Sequence, residues 1–77
     1  MQKLLSAFKP GEEGIVTKIS AEGKIKRRLF DMGVTPHVRI RMRKAAPLGD
    51  PIEVTIRGYE LTLRKNEAET VMMEVEA

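Results

Sequence analysis

The sequence contains no cysteine and no tryptophan, and its aromatic residues are two phenylalanines and one tyrosine. Without cysteine there is neither a disulfide framework nor a thiolate metal site. His37 is the one histidine, and the carboxylates around it in sequence are scattered, whereas transition-metal sites usually draw on several His or Cys ligands. We therefore expect no metal site and no bound cofactor in the isolated chain.

Long hydrophobic runs are also absent. No apolar stretch approaches the roughly 20 residues that a membrane-spanning helix needs. The first eight residues do not show the charged-then-apolar pattern of a secretory signal. These features predict a cytoplasmic protein without membrane insertion, and 77 residues predict one domain spanning positions 1–77.

Groupings typical of catalysis are missing from the sequence. We find no Ser/His/Asp pattern, no glycine-rich loop that could hold a phosphate and no paired carboxylates. A chain of this size also builds a thin core, which leaves little room for a deep catalytic cleft. The sequence thus predicts a protein that is not an enzyme.

The charge balance is mildly basic, with 14 basic and 11 acidic residues and a net charge of +3. The basic residues cluster at 24–28 and 39–44, which admits nucleic acid as a ligand. A single-strand binder would place stacking aromatics between its basic residues, and none interleaves with Arg39, Arg41 and Arg43. We interpret this arginine stripe as the solvated outer face of a strand and expect no nucleic-acid partner.

Alternating apolar and polar residues predict most of the chain to be strands. The interruption is a helix over Ala21–Met32, with Ser20 as its cap and Gly33 as its left-handed end. Asn66 is expected to cap one helical turn that reaches Thr70. The predicted strands are centred on Ile15–Ile19, Val38–Met42, Ile52–Ile56, Tyr59–Leu63 and Val71–Val75.

The loops between these strands suggest a register. A loop centred near Leu48 would place Arg43 opposite Glu53 and Arg41 opposite Thr55. A tight turn centred on Gly58-Tyr59 would place Glu53 opposite Arg64 and Arg57 opposite Glu60. The shared phase of the apolar residues predicts a core of Ile15, Ile19, Leu29, Val38, Ile40, Ile52, Val54, Ile56, Leu61 and Leu63.

Five short strands cannot leave long edges exposed without a risk of aggregation, and closure into a small barrel removes that risk. The predicted fold class is therefore mostly β with a short helical insert, in the form of an SH3-like small barrel.

The loop around Leu48 is the most informative candidate for a binding surface. Pro47 and Gly49 flank this apolar residue at the predicted apex, where folding gains least from it. Leu48 either folds back over one end of the barrel or presents an exposed contact to a protein partner. For the second case the predicted contacts are Leu48 and Pro47, with Met32 and Val34 as an apolar rim close to Leu48, and with Tyr59.

Several blocks in order resemble the FeoA family, the small accessory proteins of bacterial ferrous iron uptake. The resemblance covers nearly the whole chain. Its blocks are Leu5-Ser6, Lys9-Pro10-Gly11, Arg28-Leu29, 31–36, 46–53, Arg57-Gly58-Tyr59 with Leu61, Leu63 and Arg64, and Glu67-Ala68. One position departs from the family pattern, because His37 stands where glycine usually follows the Thr-Pro pair.

The resemblance implies an SH3-like barrel without catalysis that contacts the cytosolic region of the FeoB transporter. It also implies that any link to iron is indirect. Two other functions share this barrel: the regulatory domain of iron-dependent repressors, which there is attached to a DNA-binding module, and a small basic RNA-binding barrel. This chain has no helix-turn-helix segment, which argues against the repressor function. Binding to nucleic acid that weakens as the salt concentration rises would identify an RNA-binding barrel.

Overall fold

The computed structural model describes residues 1–76, and it is mostly β with short helical inserts, as predicted. Its strands are β1 (Gln2–Leu4), β2 (Glu13–Ile19), β3 (Arg39–Ala45), β4 (Ile52–Ile56), β5 (Tyr59–Leu63) and β6 (Val71–Val75). The helices are α1 (Gly23–Asp31) and α2 (Lys65–Ala68), with 3-10 turns at Leu5–Ala7 and Pro47–Gly49. No helix in residues 1–76 is long and apolar enough to cross a membrane.

All six strands form one antiparallel sheet in the order β1-β6-β2-β3-β4-β5. The prediction of five strands missed β1, whose three residues pair with β6 at Gln2–Glu74 and Leu4–Met72. Three residues are too few to show a period of two, so the pairing depends on the closing strand rather than on a local pattern.

Strand β2 carries its core residue one position later than predicted. Val16 is fully buried, whereas Ile15 is only partly buried and Thr17 is exposed. The pairing with β6 shifts register between Val16 and Lys18, which marks a bulge. Because a bulge inserts one residue, it reverses the alternation, and Ile19 returns to pack against the core.

Helix α1 is shorter than the predicted range. It begins at Gly23, and the hydroxyl of Ser20 donates to the carbonyl of Thr70 at 3.3 Å instead of capping the helix. The end follows the prediction, because Gly33 takes a φ of 92° and donates its N–H to the carbonyl of Phe30. Leu29 is the fully buried residue of α1.

The β4–β5 hairpin turns one residue earlier than predicted. Ile56 pairs with Tyr59, so the two-residue loop is Arg57-Gly58, with φ values of 52° and 84°. Positive φ at both central residues is the signature of the type I′ turn, whose twist suits adjoining strands. The predicted pairs Glu53–Arg64 and Arg57–Glu60 are wrong for this reason, since Glu53 faces Thr62.

The hairpin of β3 and β4 contains a second bulge. Arg41 faces Thr55 as predicted, but the register shifts between Met42 and Lys44. Lys44 therefore stands opposite Glu53, where Arg43 was predicted.

The core is larger than the sequence pattern suggested. Seven predicted members are buried: Leu29, Val38, Ile40, Ile52, Val54, Ile56 and Leu63. Ile19 and Leu61 are partly buried and pack against them, while Ile15 is not part of this cluster. The other buried apolar residues are Leu5, Phe8, Val16, Ala21, Val34, Met42, Ala68, Val71 and Met73.

Helix α2 is held by residues other than the predicted cap Asn66. It spans Lys65–Ala68, and the carboxylate of Asp50 accepts the N–H of Lys65 at 3.0 Å. Glu67 is buried, accepts the N–H of Arg64 at 2.9 Å and binds the guanidinium of Arg28 at 2.5 Å. The buried carboxylate thus connects α1, α2 and the end of β5.

Candidate docking surfaces

The Leu48 loop presents an apolar side chain almost entirely to solvent. Leu48 is 96% exposed, so it does not fold back over the barrel. Its φ of 69° lies in the left-handed region, which is unusual for a residue other than glycine because the β-carbon makes that conformation costly. Pro47, beside it, is also exposed.

Hydrogen bonds close this loop on itself and fix it to the barrel. Ala46 donates to the carbonyl of Pro51 at 2.9 Å, and Gly49 donates to the carbonyl of Ala46 at 2.8 Å. Asp50, which bonds the first amide of α2, ties the loop to the following helix. The apex residue is therefore presented by a restrained backbone.

The predicted apolar rim lies at the other end of β4 from Leu48. Met32 and Tyr59 line one depression together with Ile56 and Leu61. Leu48 lies before β4 begins and Tyr59 after it ends, and five strand residues span about 13 Å. The expectation that Met32 lies near Leu48 is therefore wrong, because the strand separates the two turns.

Val34 does not contribute to either surface. Its side chain is fully buried, since the residues after Gly33 turn back into the core and Val34 donates its N–H to the carbonyl of Leu29. Tyr59, by contrast, is 73% exposed. The structure brings Met32 together with Tyr59, and it places Leu48 with Pro47.

The arginine stripe of β3 is mostly engaged by acids of the same chain. Arg39 binds Glu76 at 3.0 Å and Arg43 binds Glu60 at 2.6 Å. Both ion pairs lie on the outer face but join elements that are not neighbours in the sheet, since β4 separates Arg43 from Glu60 and β2 separates Arg39 from Glu76 at the end of β6. Within residues 1–76, Arg41 has no acid within ion-pair distance.

His37 adopts the conformation that glycine would adopt most easily. Its φ is 75°, and its N–H donates to the carbonyl of Val16 at 2.8 Å. The turn thus keeps its left-handed shape despite the side chain. Among the described residues, no three His, Cys, Asp or Glu side chains are grouped to hold a metal ion.

Comparison with known proteins gives a consistent assignment. The model of the FeoA domain family matches residues 3–75. A curated relative from Porphyromonas gingivalis, an Fe(2+) transport protein A/Fe(2+) transporter FeoB fusion protein, is 27% identical over 71 residues. Those residues are 92% of this chain but only 8% of that relative, so the chain spans a small part of the fusion protein.

Solved structures extend the likeness to the fold. The solution structure of FeoA from Chlorobium tepidum is 41% identical, with a TM-score of 0.88 over 97% of this chain and 71% of that one. The zinc complex of FeoA from Stenotrophomonas maltophilia, described as a procaryotic SH3 domain protein, is 26% identical, with a TM-score of 0.80 over 94% of this chain and 89% of that one. The predicted SH3-like fold is confirmed.

A manganese-dependent transcriptional repressor shares the fold alone, because it is 23% identical at a TM-score of 0.90, and this chain covers 37% of it. The family model, by contrast, covers nearly the whole sequence. The chain therefore belongs to the FeoA family, a family of small accessory domains associated with ferrous iron transport.

Proposed function

We propose that this chain is a non-catalytic accessory protein of ferrous iron uptake that acts by binding the cytosolic region of an FeoB-type transporter. The observation that carries this proposal is the fusion relative, in which the matching segment and the FeoB transporter are parts of one polypeptide. Fusion holds two modules at a high effective concentration, and separate chains need a binding surface to achieve the same association. In this proposal residues 1–77 act as one domain.

The Leu48 loop is the surface that we assign to this contact. Binding energy concentrates in a few apolar residues that become buried, and Leu48 has nearly its whole side chain available for burial. The loop hydrogen bonds at Ala46, Gly49 and Asp50 reduce the entropy lost on binding, because the backbone is already ordered.

The test is calorimetric titration of the chain with the cytosolic region of the transporter from the same organism. Leu48→Asp should weaken binding at least tenfold, or about 1.4 kcal/mol, because a carboxylate would have to be desolvated at the contact. Tyr59→Asp is the matched control, since it introduces the same charge at an exposed residue across the barrel. Circular dichroism then establishes that both variants fold.

The pair of variants separates three results. Loss of binding in Leu48→Asp alone supports the loop as the docking surface. Loss in Tyr59→Asp alone moves the contact to the Met32–Tyr59 depression and contradicts the assignment of the loop. If the parent chain itself shows no binding, the proposal of a transporter partner is wrong.

A further inference from the structure

A basic groove lies on the outer face of the sheet, away from the Leu48 loop. Its volume is about 400 Å³. Arg41 of β3 and Thr55 of β4 face each other across its floor. Its other lining residues include Glu13, His37, Arg39 and Arg57.

Two of the residues that line this groove adopt strained backbone conformations. His37 and Arg57 both have positive φ, at 75° and 52°. Glycine would occupy either position without the cost of a β-carbon, and asparagine suits the first position of a type I′ turn. Among residues 1–76, Leu48 is the only other residue besides glycine with positive φ. Strain of this kind tends to persist where the side chain is needed.

The charges in the groove are only partly neutralised within the described chain. Arg39 binds Glu76, but neither Arg41 nor Arg57 has an acidic group within 4.0 Å among residues 1–76. Glu13, which faces Arg41 in the register of β2 and β3, is the one acid that lines the groove. The two free guanidinium groups outweigh it.

We propose that this groove binds a phosphate group, with Arg41 and Arg57 as its charged ligands and His37 and Thr55 as additional donors. Guanidinium groups match phosphate oxygens in a two-pronged geometry. A tetrahedral phosphate can accept bonds from donors on several sides at once, whereas a planar carboxylate offers two oxygens in one plane. Donors from the turn before β3, from β3, from β4 and from the β4–β5 turn fit the tetrahedral group better.

The site accounts for the strained residues. The conformation at His37 and at Arg57 costs stability, and each position supplies a basic side chain to the same groove. Substitution to a residue that prefers positive φ should therefore separate the two effects: the fold should become no less stable while the ligand is lost.

The experiment is a titration of the whole chain followed by amide and side-chain NMR shifts, with inorganic phosphate and ATP as probes. Sodium acetate and sodium chloride at matched ionic strength are the controls. Saturable shifts confined to the groove residues with phosphate, absent with acetate, support the proposal. Tighter binding of ATP would assign a nucleotide as the ligand, and equal binding would assign the phosphate group alone.

Two variants complete the test. His37→Gly and Arg57→Asn should each weaken phosphate binding about tenfold or more, since each removes a donor or a charge, while the melting temperature stays level or rises. Arg43→Gln is the control, because it removes one charge from the same strand outside the groove. If acetate binds as phosphate does, if the shifts follow ionic strength alone, or if both variants bind like the parent, the proposal is overturned.

Discussion

Each end of strand β4 adjoins a turn that contains a residue other than glycine in the left-handed conformation. Before the strand, Leu48 points an apolar side chain into solvent with φ at 69°. After it, Arg57 brings a cation to the edge of a groove with φ at 52°. Glycine would cost less energy at both positions, but neither position carries it.

The difference lies in what supports each turn. The Leu48 loop is fixed by its own hydrogen bonds and by the contact of Asp50 with α2, so it projects from the barrel as a restrained tip. The Arg57-Gly58 turn is a two-residue hairpin beside the Met32–Tyr59 depression and the basic groove. In our two proposals one end makes an apolar contact and the other binds a charged ligand, so that the two surfaces of one small barrel would act independently.

The strand that joins the two ends should show the largest effect on stability. Val54 is fully buried at the middle of β4, so Val54→Ala should lower the free energy of unfolding by about 2–3 kcal/mol through lost contacts and a cavity. Urea denaturation measures this value. Leu61→Ala, at a partly buried position, is the comparison, and a neutral effect at both sites would contradict the register of the β4–β5 hairpin.

The anchor of the Leu48 end should have a smaller effect. Asp50→Ala leaves the N–H of Lys65 without its acceptor, and loss of such a contact at a helix start costs about 1 kcal/mol. Asp31→Ala, an exposed carboxylate at the end of α1, is the matched control and should be neutral or slightly stabilising. Equal unfolding midpoints for the two variants in urea would show that Asp50 does not hold the loop.

The two left-handed residues can be compared directly by stability. Leu48→Gly relieves the strain of a β-carbon but makes the unfolded chain more flexible, so the net change should be within about 0.5 kcal/mol. Arg57→Asn gains the turn preference without that entropic loss and should raise the melting temperature slightly. Thermal denaturation followed by circular dichroism tests both. A clear loss of stability in Arg57→Asn would mean that Arg57 supports the fold rather than the groove.

The smallest expected effect is the pH dependence of stability that comes from Glu12, which lies at neither end of β4. The Lys3 ammonium, hydrogen-bonded to Glu12 at 2.7 Å, and the N–H of Lys9 lower the pKa of the Glu12 carboxyl below its ordinary 4.5. A lowered pKa stabilises the fold above the ordinary value, and this contribution is lost as the pH falls through the folded-state pKa. The stability difference between the parent and Glu12→Gln should therefore shrink below about pH 4.5. A difference that is constant from pH 7 to pH 3 would contradict this account.

Much of the fold could be predicted because β3, β4 and β5 alternate strictly. Their inward positions from Val38 to Leu63 are buried or pack against the core, except Tyr59, which shares the phase of Leu61 and Leu63 but is exposed at the hairpin end. The prediction failed at the bulges in β2 and β3, since one inserted residue reverses every side chain beyond it. No local feature of the sequence marks the bulge after Val16.

The candidate surfaces were only partly predictable. The Pro47-Leu48-Gly49 segment indicated a loop apex, because an apolar residue between two turn formers has no strand to join, but it left open whether Leu48 folds back over the barrel or is exposed. The basic groove was missed, since its residues come from three strands and two turns, and the two turns carry no periodic pattern. His37 was the available signal, because the resemblance to the FeoA family implies glycine at that position.

The β-rich class and the end of α1 at Gly33 could be predicted from the sequence, because they depend on local periodicity and on the backbone preferences of single residues. The tertiary structure was needed to establish that β1 pairs with β6, that Met32 joins Tyr59 rather than Leu48, and that Leu48 is exposed. It also decided that Asp50 rather than Asn66 bonds the first amide of α2. These contacts connect residues that are distant in sequence, so they depend on how the sheet curls and on which turns its closure brings together.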